Sequence, residues 1–137
     1  MDQRTATFMQ HVHAAADRSA RLDWPPGRVD VVLDTDTNAE IDDQFALAYA
    51  ALSPKRIRLA AVLAAPFTQR HAQTPAEGMR QSFDEIHRVL RRIDPPAPPR
   101  VCHGSDRWLT SDHDSVASEA RDHLIELAEA RRDTPLY

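Results

Sequence analysis

Lysine and cysteine each occur once in this chain, as Lys55 and Cys102. A single cysteine excludes an intrachain disulfide and suits a reducing compartment. Cys102 sits in a short apolar run and reads as a small buried hydrophobe rather than as a nucleophile. With one lysine, nearly all positive charge is arginine. The arginines are scattered and the net charge is −4, so there is no basic patch to mark a nucleic-acid partner. No stretch approaches the ~20 consecutive apolar residues of a membrane span. The opening MDQRTATFMQHVHAAADRSARL also lacks the unbroken apolar core of a secretory signal. There is no internal repeat and no low-complexity tract. A cytoplasmic protein that engages neither membrane nor nucleic acid is expected.

What is present suits one globular domain: 137 residues, 42% hydrophobic and 28% charged, enough to bury a useful core. Residues 3–22 read as a modest helix, with Phe8, Val12, Ala15 and Leu22 roughly on one side, and DWPPGR breaks it. VDVVL (29–33) is short, β-branched and nearly all apolar, as in a buried parallel strand. Ile41, Phe45, Ala48 and Leu52 then fall at helical spacing before Pro54. IRLAAVLAA (57–65) reads as a second buried strand. In the following helix Thr74 is the N-cap, Pro75 takes the first position and Glu77 completes a capping box. Met79, Phe83, Ile86, Leu90 and Ile93 form its apolar stripe. DPPAPP (94–99) is a stiff linker, RVCHG (100–104) a third strand and SDRWLTSDHD a loop. Val116, Ala120, Leu124 and Leu127 mark a last helix to about Arg131, and TPLY resembles the start of another strand. The expected fold is α/β: an N-terminal helix, then β-α-β-α-β-α with a small parallel Rossmann-like sheet in order 3-2-1, covered on both faces. Ligands of such sheets bind beyond the carboxyl ends of the strands.

That is where the chain gathers its carboxylates. VVLDTDTNAEIDDQFAL (31–47) holds Asp34, Asp36, Glu40, Asp42 and Asp43. Acids in the first turn of a helix face a favourable dipole, by about 0.3–1 kcal/mol each, and an aspartate before the turn can simply cap it. The whole set is costlier: two carboxylates ~4 Å apart repel by about 4 kcal/mol at an effective dielectric of 20. The nearest basic residue in sequence, Arg28, lies at the far end of the strand. A bound cation is the economical explanation, and all-oxygen donors favour calcium or magnesium over zinc. An EF-hand loop is excluded, because Ala39 stands at the glycine position and Phe45 at the glutamate position. A phosphatase-type D-x-D-x-T signature matches its two aspartates, but Asn38 replaces its threonine.

The stretch resembles the opening signature of the inosine-uridine-preferring nucleoside hydrolase family: an apolar strand running into D-x-D, a turn, a hydrophobic residue, D-D and a helix. Here it reads VVLDTDTNAEIDDQFALAYAAL, with the longer turn of a divergent branch carrying D-T-D-x-N-x-E-I-D-D-Q-F-A. Weaker likeness continues through AAPF, PAEGM, DEI and HGSDRWL, over about residues 28–110. The resemblance implies hydrolysis of the N-glycosidic bond of a ribonucleoside or related N-riboside, with calcium holding the ribose hydroxyls and the attacking water. Asp36 would be the base and a calcium ligand, Asp43 a bidentate calcium ligand, Asp42 a ribose contact, and Asp34 a residue that shapes the turn. Gln69 stands about where the family places a sugar-binding asparagine, and Asn38 and Glu40 offer further polar groups. His71 and His103, which follow strands, are the histidines best placed to face the site. Family members are much longer and draw further calcium ligands and the leaving-group acid from their later half. Residues 28–137 are therefore expected to be the N-terminal part of that fold, preceded by a helical extension over 1–27, with an incomplete calcium shell. The aspartate-bearing strand is expected at an open edge, covered in a homo-oligomer or by a missing C-terminal segment. The alternative is a non-catalytic remnant that binds metal or a partner through the same surface.

Overall fold

The computed structural model describes residues 25–69, 71–111, 113–131 and 134–137; the helix expected over 3–22 lies outside them. Three strands and three helices alternate: β1 (Val29–Thr35), α1 (Ile41–Ala51), β2 (Ile57–Ala64), α2 (Pro75–Ile93), β3 (Arg100–His103) and α3 (Glu119–Ala130). The strands form one parallel sheet in the order β1-β2-β3, the predicted order read from the other edge. The register between β1 and β2 shifts at Val31/Val32.

Local chemistry sets the boundaries. α2 starts with the predicted capping box: the Thr74 hydroxyl accepts from the Glu77 N–H at 3.2 Å, and the Glu77 carboxylate accepts from the Thr74 N–H at 3.3 Å. It ends at Asp94, whose φ of 43° is left-handed, a conformation that stops a helix and costs little for Asp. α3 starts later than the pattern suggested. Ser118 caps it by accepting from the Arg121 N–H at 3.2 Å, so Val116 precedes the helix. β1 runs two residues beyond the apolar VDVVL to include Asp34 and Thr35.

The core has two layers. Leu33, Val62 and Ala64 face α1 and α2, where Leu47, Ala51, Met79, Ile86 and Leu90 are buried. Val32, Ala61, Leu63 and Cys102 face α3 through Ala120 and Leu127. Cys102 is completely buried, as its apolar setting predicts. The face of α1 differs from expectation. Leu47, Ala50 and Ala51 turn inward, while Ile41, Phe45 and Leu52 are 67%, 69% and 55% exposed.

The outer edge of β1 is partly covered by the chain itself. Leu136 makes a parallel bridge with Asp30. The Tyr137 N–H donates to the Asp30 carbonyl at 3.0 Å, and the Tyr137 carbonyl accepts from the Val32 N–H at 2.7 Å. Within TPLY, Leu136 thus meets β1 through a single bridge. Asp30 also holds Arg58 and Arg131, and the guanidinium of Arg58, followed by that of Arg131, lowers its carboxyl to about 2 against the opposing effect of burial.

Candidate functional site

The strand-to-helix turn after β1 is pinned from below. Ala39, 1% exposed, packs with Phe67 and Ala72 of the loop after β2, and the Ala39 N–H donates to the Asp36 carbonyl at 2.6 Å. That loop can sit close because α2 carries Gly78: a Cβ there would lie 2.1 Å from the Phe67 carbonyl oxygen. Ser82 of α2 donates to the Ala65 carbonyl at 2.9 Å, and the Ala65 N–H donates to the Thr35 carbonyl at 2.9 Å. Turn, loop and helix therefore form one braced unit at the carboxyl ends of β1 and β2.

On this unit Asp36 and Asp43 come together. The negative charge of Asp43 acts directly on the Asp36 carboxyl. Partial burial raises the Asp36 carboxyl above its ordinary value, and the charges of Asp43 and Glu40 raise it further. Thr35 braces Asp43: its hydroxyl donates to Asp43 Oδ1 at 2.5 Å and lies 3.0 Å from the Thr37 hydroxyl. Both threonines are buried. Sequence reading overlooked them, although the alternation of Asp34-Thr35-Asp36-Thr37 carries the signal that the two hydroxyls share a side.

The other candidates divide. Asn38 faces α2, its side-chain amide nitrogen 3.1 Å from His71 Nε2 and 3.1 Å from Gln81 Oε1; Gln81 was not anticipated. Asp42 is exposed at the start of α1, open to a ligand hydroxyl. Gln69 is exposed too; its carbonyl accepts from the Ala72 N–H at 3.1 Å, and its side chain joins no part of the carboxylate pair. Asp34, the residue expected to shape the turn, stands one position before the end of β1. It belongs to β1 and lines a cavity of about 470 Å³ with Leu63, Gly104 and Trp108. Because β1 extends through Thr35, the parity of the strand sends Asp34 to the α3 side with Val32. The residue keeps an exposed surface while crowding by the cavity wall raises its carboxyl; its exposure limits that effect. His103 is engaged elsewhere, stacked on Phe83 at 3.7 Å between ring centroids and 3.4 Å from Glu119.

Compared with protein-family models, curated proteins and solved structures, the chain matches none. The site must be judged on its own chemistry. Two carboxylates backed by hydroxyls fit, in kind, a hard oxygen-ligated cation. In number they fall short: among the described residues no three His, Cys, Asp or Glu side chains gather as a metal-binding group. Among the described residues, too, no helix is long and apolar enough to cross a membrane.

Proposed function

We propose that the Asp36–Asp43 pair is the carboxylate half of a site for hydrolysing the N-glycosidic bond of a ribonucleoside or related N-riboside. The observation that carries this reading is the convergence of two carboxylates, with a raised proton affinity at Asp36, on the loop end of a parallel sheet. A carboxylate of that kind takes a proton from water as the water oxygen bonds to the anomeric carbon. The carbon–nitrogen bond breaks with its electron pair leaving on the base, and positive charge builds on the sugar. Asp36 and Asp43 favour that charge electrostatically. Asp42, open at the helix start, accepts a hydrogen bond from a ribose hydroxyl. Asp36 and Asp43 would hold the calcium ion that the family likeness implies; when bound, the ion fixes the ribose hydroxyls and acidifies the water.

The shortage of a third ligand supports a second reading, a non-catalytic surface that binds metal or a partner. It also sets the expected affinity, a dissociation constant on the order of 10⁻⁴–10⁻³ M, as for sparsely liganded calcium sites. Calorimetric titration of the purified chain with calcium tests the site. Binding should be lost in both Asp36→Asn and Asp43→Asn; no binding, or binding that survives both substitutions, overturns it. Release of free base from inosine or uridine, lost in Asp36→Asn, would favour the enzyme reading over the second; its absence is common to both. Residues 1–137 alone should show little or no turnover, since their calcium shell is incomplete. Submicromolar calcium binding together with turnover lost in Asp36→Asn would establish the enzyme reading outright.

A further inference from the structure

The exposed side of α1 is the least expected surface on the molecule. Ile41, Phe45, Tyr49 and Leu52 follow one another at helical spacing and are 67%, 69%, 69% and 55% exposed. Tyr49 continues the stripe to a notch of about 310 Å³ over the edge of β1, shared with Val29, Val31 and Tyr137. A contiguous apolar stripe of this size on a soluble domain marks an interaction surface. We propose that a second copy of this chain covers it, with the two α1 helices packed antiparallel about a two-fold axis passing between Phe45 and Tyr49.

Two observations favour a second copy. The first is area. At those exposures the four side chains present roughly 500 Å² per copy, so an isologous pair that buried them fully would remove about 1,000 Å² from water, the threshold of a specific interface. The second is charge. α1 begins among Glu40 and Asp42 and is followed by Lys55 and Arg56, all four exposed. An antiparallel pair sets the acidic start of each helix beside the basic turn of the other and opposes the helix dipoles favourably. A parallel pair would bring acid to acid and base to base. The pairing also places the chain's only lysine near the partner copy's acidic turn, whose own strand supplies no nearby cation.

Size-exclusion chromatography with light scattering, run over a concentration series, tests the proposal. The chain should elute with about twice its 15.4 kDa mass. Phe45→Asp should raise the dissociation constant about a hundredfold or more, since an exposed anchor is replaced by charge, with unchanged circular dichroism. Lys55→Glu with Arg56→Glu should raise it about tenfold, and this pair decides the matter if Phe45→Asp proves misfolded. Oxidising an equimolar mixture of Phe45→Cys and Tyr49→Cys chains should give mainly the mixed disulfide dimer, with buried Cys102 taking no part. A strict monomer overturns the proposal, whether residues 1–24 or nothing covers the stripe. So does a dimer that survives Phe45→Asp, or cross-linking that favours the like-with-like products of a parallel pair.

Discussion

Asp36 is held where its own ionisation is unfavourable. It is partly desolvated and faces the charges of Asp43 and Glu40. The folded chain therefore binds a proton at Asp36 more tightly than the unfolded chain, and the ionised carboxylate opposes folding at any pH above its raised value. That opposition fades as the pH falls through the raised value toward 3.8, the ordinary carboxylate value. Asp36→Asn should consequently melt about 2–5 °C higher than the parent chain at pH 7 without calcium. The advantage should shrink as the pH approaches 4. Thermal melts followed by circular dichroism at both pH values check this, and a lower melting temperature at pH 7 would contradict the geometry. At this scale the sequence was readable where chemistry is dense. Asp36 and Asp43 stood out because carboxylates seldom gather without a cation. Thr35, Thr37 and Gln81 did not, because hydroxyls and amides serve turns and surfaces equally well. The side on which Asp34 falls was not legible either: the apolar letters end two residues before the strand does, so parity gives no answer there.

Among the elements, Gly78 shows how a single small residue positions the turn. It lies inside α2, where alanine is the better helix former by about 1 kcal/mol. Yet a Cβ at this position meets the Phe67 backbone at 2.1 Å, 2.6 Å and 2.8 Å, and a backbone cannot step aside as a flexible side chain can. Overpacking should outweigh propensity, so Gly78→Ala should lose about 2–3 kcal/mol in chemical denaturation. The substitution pushes on Phe67, and through it on Ala39 beneath the carboxylate turn. Calcium binding should therefore weaken even under conditions where the variant remains folded. The element types and most of their ends were legible because prolines, caps and apolar periodicity agree with one another. The orientation of α1 was not. Ile41, Phe45 and Leu52 have the spacing of a buried face, and Leu47, Ala50 and Ala51 took that place against the sheet. Periodicity identifies an apolar stripe but not what the stripe meets, and here both sides of the helix are apolar.

For the molecule as a whole, alternating strands and helices predicted a parallel sheet with helices on both faces, and the strand order followed from right-handed crossovers. Where the last residues go could not be read from local pattern, since Leu136 and Asp30 lie at opposite ends of the domain in sequence and share no periodicity. Their pairing has a kinetic consequence. It closes a loop on the order of 100 residues, among the longest this chain can form, and closures of that length carry the largest entropic penalty before they return any contact. A bridge this costly to close is expected to form after the rate-limiting barrier and to break before it. Removing Pro135–Tyr137 should therefore accelerate unfolding in stopped-flow denaturant jumps while leaving the refolding rate nearly unchanged. The final three residues would then act as a latch on the lifetime of the native state, with no part in the speed of its assembly.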